Sequence, residues 1–184
     1  MKQPFARFSL VFALVCGAAV VAPGDAAARP RPAGRTSNFS ANKTFGLGLM
    51  LGAPSGLSGK YYLGPSTAID FGVGVIRYYR HRRSNVHFHA DFLWHPVSLA
   101  STRPFELPLY FGIGARLWDF DDEDIDDDGF GLGVRAPIGI ALDFNNVPLD
   151  VFFELALVVD LFFNYDDDYG GDINGAVGVR YYFN

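Results

Sequence analysis

The residues of this chain best suited to chemistry are carboxylates and arginines. Asp124, Asp126 and Asp128 alternate ahead of Gly129, the spacing with which a calcium loop sets oxygen ligands around a hard cation at a glycine turn. They lie in a run from Asp119 to Asp128 that holds eight acids. Counted from Asp124, the twelfth position of a calcium loop is Arg135 rather than Glu, and a strand pattern follows instead of a helix. The preferred reading is a solvated acidic tip. Ca2+ held by Asp124, Asp126 and Asp128 is the chemical alternative, and no other cofactor is expected.

Three further groupings could do chemistry. His87, His89, Asp91 and His95 share one parity. On a strand, neighbours two apart stand about 6–7 Å apart, loose for one metal, so packing is preferred over a metal site or proton relay. Arg80, His81, Arg82 and Arg83 could pair with the acidic runs or fork onto phosphates. His81 and Ser84 with Asp166, Asp167 and Asp168 could form an acyl-transfer set only if the fold brought them together.

These residues must be positioned by something, and composition limits what. The 184 residues are 49% hydrophobic and 16% aromatic, so the chain can build a packed domain. A single cysteine excludes a disulfide scaffold, and a net charge of −5 gives no basic signature for nucleic acid. Lys2 and Arg7, the apolar run Phe8 to Ala22, Pro23-Gly24 and the small residues Ala26 to Ala28 read as a secretory signal peptide over 1–28. Residues 29–43, with Arg29, Arg31, Arg35 and Lys43 among prolines and polar residues, read as a flexible periplasmic tail.

From Thr44 the chain alternates with period two in eight segments, 44–52, 55–63, 66–78, 85–97, 105–118, 129–144, 148–162 and 172–183, each bounded by turn chemistry. Residues 44–184 therefore read as an all-β domain, an eight-stranded antiparallel up-and-down barrel. One face of each strand is bulky and apolar, such as Ile69, Phe71, Val73 and Val75; the other is glycine or charge, such as Asp70, Gly72 and Gly74. Eight strands leave an interior only wide enough for side chains, and the large apolar set does not fit there. The oily face is expected outside and the polar face inside, which makes the barrel transmembrane. Lys60, Asp70, Asp91, Arg116, Arg135, Asp143, Glu154, Asp160 and Arg180 then face the lumen. Isolated buried charge is very costly, so they should form an ionic network, with Arg116, Arg135 and Arg180 joined to Glu154, Asp91 and Asp160. Aromatic belts are expected at both rims. Tyr78, Tyr79, Trp118, Phe120, Phe162, Phe163 and Tyr165 fall at one, and Tyr61, Trp94, Phe144, Tyr181, Tyr182 and Phe183 at the other. Pro108 and Pro137 should interrupt their ladders at bulges.

The leader, the eight alternating segments, the openings Phe45-Gly46-Leu47-Gly48-Leu49 and Gly56 to Tyr62, and the closing Val179, Tyr181 and Phe183 resemble the small outer-membrane β-barrels of Gram-negative bacteria, the OmpA-like and OmpX-like superfamily. In that superfamily a terminal aromatic residue is an assembly signal; here Asn184 follows Phe183. The resemblance implies the outer membrane as location. It implies lipid, lipopolysaccharide and the barrel-assembly machinery as partners, with no nucleic acid. The expected role is non-enzymatic: envelope integrity or surface interaction through acidic and basic loops, with the lumen plugged. The alternatives are a lipid-modifying enzyme, as a lipid A palmitoyltransferase also uses eight strands, and a narrow pore for small solutes.

Overall fold

The computed structural model describes residues 38–77, 84–122, 127–161 and 169–183, and gives side-chain surroundings for most of these. The segment read as a leader lies outside the described residues. The alternating segments form β1 (Phe45–Gly52), β2 (Ser55–Tyr62), β3 (Thr67–Arg77), β4 (Ser84–Ser101), β5 (Phe105–Asp122), β6 (Asp127–Phe144), β7 (Leu149–Leu161) and β8 (Tyr169–Phe183). Each pairs antiparallel with its sequence neighbours, and β1 pairs with β8 from Phe45↔Phe183 to Gly52↔Ala176, closing the barrel. Closure satisfies the strand edges without any covering element.

The alternation puts polar groups inside. Leu51, Leu157 and Ile173 are 69%, 63% and 67% exposed on the outer wall, whereas Arg116, Arg135 and Arg180 are at most 2% exposed. The interior is not wholly polar. Met50, Leu93, Tyr110, Ala141 and Phe152 form a buried apolar cluster between the charged groups.

Strand lengths differ most from the sequence expectation in two places. Strand β4 runs past residue 97 to Ser101 because register shifts between Trp94 and Val97, and again between Ser98 and Ser101, absorb the proline at 96. The hairpin of β5 and β6 zips up through much of the acidic run expected as a loop, as far as Asp121↔Asp128 and Asp122↔Asp127, because the ladder bonds backbone groups whatever the side chains carry. The prolines part ways: Pro108, opposite Ser98, sits at the β4–β5 register shift, as expected, whereas Pro137 lies at no shift in either of its ladders. The β5–β6 ladder omits the pairs beside Pro108 and Pro137 and resumes in the same register, without a bulge, since each ring removes one N–H and no residue is inserted.

One end of the barrel carries the turns at 63–66, 102–104 and 145–148 together with Phe183 and the entry to β1; the other carries the turn at 53–54. That turn starts at Gly52, whose φ of 138° suits glycine. At the first end, Asn145 Nδ2 donates to Thr102 O (3.0 Å), and Asn145 N donates to Pro104 O (2.9 Å), tying two turns together. Of the aromatic belts, Tyr61, Trp94 and Tyr181 stand exposed on the outer wall at this end, but Tyr182 points inward and is buried. At the far end Trp118 shares the inward parity of Arg116, and its ring lies over Gly131. Tyr78, Tyr79, Phe162, Phe163 and Tyr165 lie outside the described residues, and for Phe120 the backbone alone is described.

Candidate functional site

The bore is the candidate site, and register assembles it. Arg116 of β5 faces Gly133 of β6, which faces Asp160 of β7. With no side chain on the middle strand, Arg116 Nε donates to Asp160 Oδ1 at 2.8 Å and Nη2 bonds Oδ2 of the same carboxylate, a fork. Its Nη1 donates to Asn174 Oδ1 at 2.8 Å and lies 3.6 Å from Asp172 Oδ2.

The same device recurs lower in the bore. Asp91 of β4 faces Gly114 of β5, which faces Arg135 of β6. Arg135 Nε donates to the Asp91 carboxylate at 3.1–3.2 Å, and its Nη2 donates to Glu154 Oε1 at 2.9 Å. Tyr110 and Glu154 meet across Gly139, Tyr110 Oη donating to Glu154 Oε2 at 3.2 Å.

Arg180 of β8 joins both sides of the seam. Its Nη1 donates to Asp70 Oδ2 of β3 at 3.0 Å, its Nε is 3.7 Å from Asp150 Oδ1 of β7, and its guanidinium stacks 3.8 Å from the Phe152 ring centroid. Tyr182 Oη donates to Asp150 Oδ2 at 2.6 Å. Lys60 is fully buried, its ammonium 4.6 Å from the Tyr110 ring centroid and 5.2 Å from that of Tyr62. A cavity of about 10 Å³ remains, lined by residues that include Asp70, His89, Arg135 and Glu154, room for about one water.

Of the nine residues expected in the network, Asp70, Asp91, Arg116, Arg135, Glu154, Asp160 and Arg180 are thus joined in buried ion pairs. Lys60 lies against rings instead. Asp143 is elsewhere, at the turn-rich end, paired with Lys43. The partners differ from expectation in one respect: Arg180 takes Asp70 and Asp150, whereas Arg116 takes Asp160 and Arg135 takes Asp91 and Glu154. The end of the stretch expected as a flexible tail is fixed instead: within 38–43, Phe39 and Lys43 are buried, because barrel side chains surround them. A lone aromatic and a lysine shortly before the first strand were the only signals.

The other groupings resolve unequally. His87 and His89 pack edge to face at 5.3 Å, and the His95 ring packs at a tilt against those of Phe39, Tyr62 and Tyr110. Among the described residues no three His, Cys, Asp or Glu side chains converge as a metal site would need. Asp124 and Asp126 lie outside the described residues, as do Arg80, His81, Arg82, Arg83, Asp166, Asp167 and Asp168. Asp128 lies in β6 opposite Asp121, and Ser84 opens β4.

No protein-family model matches the chain, and no curated protein matches it. Among solved structures, the crystal structure of the N-terminal β-barrel domain of Pseudomonas aeruginosa OprF superposes with a TM-score of 0.50 at 15% sequence identity, covering 83% of this chain and all of that domain. The likeness is one of fold: a closed antiparallel eight-stranded barrel.

Proposed function

We propose that this chain is a non-enzymatic outer-membrane barrel protein that contributes to envelope integrity or surface interaction, with its wall in lipid and its bore sealed by the ionic network. One observation carries the reading: the polarity is inverted, with leucine, isoleucine and valine side chains around the outside and arginine forks at the axis. Water would be a poor solvent for that wall. A bilayer accepts it, and a closed barrel leaves no backbone group unsatisfied there. The fold likeness to a barrel domain of OprF supports the same location.

A sealed bore is favoured over a narrow pore because the bulky side chains at the axis are tied to one another, and the cavity beside Arg135 and Glu154 has room for about one water. A non-enzymatic role is favoured over lipid modification because the buried carboxylates and arginines are engaged in pairs rather than held toward a substrate cleft. Lipid and lipopolysaccharide are the proposed surroundings, Arg80, Arg82 and Arg83 the proposed phosphate contacts, and the barrel-assembly machinery the partner in biogenesis. Ca2+ at Asp124, Asp126 and Asp128 remains a proposal of the acidic spacing alone.

Envelope fractionation tests the reading. The protein should sediment with outer membrane and, after mild extraction, migrate as a compact band that shifts on boiling. Recovery as a monomer in plain buffer would overturn it. Lipid acylation by the purified barrel would instead favour the enzymatic alternative.

A further inference from the structure

We infer that residues 38–43 form a built-in stopper, a second closure of the bore separate from the ionic network, seated in the end that carries the turns at 63–66, 102–104 and 145–148. The inference rests on geometry and holds whatever solvent surrounds the wall.

Two side chains make the stopper. Phe39 is only 3% exposed although it precedes the first strand. Its ring sits 6.0 Å from that of Tyr62 on β2 and 5.2 Å from that of His95 on β4. The backbone is held on the same side, Ala41 N donating to Pro65 O at 2.7 Å. Lys43 goes the other way. Its side chain passes over the Tyr182 ring, 5.2 Å from the centroid, and its ammonium pairs with Asp143 and donates to Phe144 O and Leu149 O, each at 2.9 Å. Those acceptors belong to β6 and the start of β7. In the closed order of eight strands, β2 to β4 and β6 to β7 are opposite walls, so the segment is fastened across the mouth from side to side.

The fastening is chemically complete. An ammonium has three donors, and Lys43 has three oxygen acceptors. A chain end that served only as a tether would stay solvated, because ordering it costs conformational entropy and burying a lysine costs more unless every donor is met. Behind the stopper lies a floor of Tyr62, Ala68 and Tyr182, packed with Phe39 in one buried cluster. The arginine pairs lie on the strands themselves: Arg116 bonds Asp160 and Asn174, and Arg135 bonds Asp91 and Glu154.

The test uses thiol access to the floor. In the full chain carrying Cys16→Ser, which removes the only native cysteine, Ala68→Cys places a thiol behind the stopper and Asn146→Cys places one on the exposed turn. With a water-soluble maleimide on the folded barrel, the Ala68→Cys site should label at least tenfold more slowly than the Asn146→Cys site. Adding Phe39→Ala and Lys43→Ala should raise the Ala68→Cys rate at least tenfold while the boiling-sensitive band persists. Equal rates at the two sites, or a rate unmoved by the double substitution in a folded barrel, would overturn the inference. Should the double variant fail to fold, Asp143→Asn, which removes only the anchor's charge partner, is read in the same way: faster labelling supports the stopper, and an unchanged rate overturns it.

Discussion

Arg116 and Asp160 stand on strands that are not neighbours, and they meet over the bare backbone of Gly133 on the strand between. A Cβ on Gly133 would strike the Asp160 carboxylate and come within 3.1 Å of Arg116 Cγ. Asp91 and Arg135 are related in the same way through Gly114, and Tyr110 and Glu154 through Gly139. Glycine in this bore is thus the gap through which ion pairs two strands apart can close.

The gap predicts its own mutants. Gly114→Ala and Gly133→Ala should each lower stability by about 1–3 kcal/mol, the usual cost of overpacking, because the added methyl meets a carboxylate already committed to an arginine. Gly171→Ala, with nothing within 4 Å of the added carbon, should be near neutral. Urea unfolding of the barrel in lipid vesicles, followed by the boiling-sensitive band, measures all three.

Asp70 and Arg180 support a mutant cycle. Arg180 is fully buried, and Asp70→Ala removes its 3.0 Å partner, which should cost about 3–5 kcal/mol. Adding Arg180→Met should recover most of that, since the uncompensated charge leaves with its side chain. The unfolding midpoints of the two single variants and the double variant give the coupling. A double variant no better than Asp70→Ala would mean that Asp150 and Phe152 carry the guanidinium alone.

The outer wall should answer to depth. Leu155 is exposed midway along β7, and Val147 is exposed in the turn before it. Leu155→Arg should cost about 2–4 kcal/mol in a bilayer and Val147→Arg about 0–1. Vesicle refolding titrations distinguish them. Equal, small costs would mean that the wall does not sit in hydrocarbon.

The bore should conduct once its centre is emptied. Arg135→Ala combined with Asp91→Asn and Glu154→Gln removes the guanidinium beside the cavity of about 10 Å³ and the charges that held it. In planar bilayers the parent should carry little current, and the triple variant should show discrete openings once residues 38–43 are also released by Phe39→Ala and Lys43→Ala. Equal currents in the parent and this combined variant would mean that the seal lies elsewhere in the bore.

The alternation of Ile69, Asp70, Phe71 and Gly72, repeated in eight segments, was enough to give the strand count, the antiparallel order and the inward side of residues such as Asp70, Asp91, Arg116, Arg135, Glu154, Asp160 and Arg180. A strand has period two, and a closed eight-stranded bore has no room for the bulky set, so local pattern and volume leave one arrangement. Which arginine meets which carboxylate was not legible in this way. Arg180 reaches Asp70 rather than the partners the inward parity suggested, because strand tilt and register decide which residues share a height in the bore, and both are properties of the closed sheet. Phe39 and Lys43 were hidden for the same reason. A lone aromatic and a lysine do not by themselves mark residues 38–43 for burial, and their place is set by a mouth formed only when Tyr62, His95 and Asp143, far apart in sequence, come to surround it.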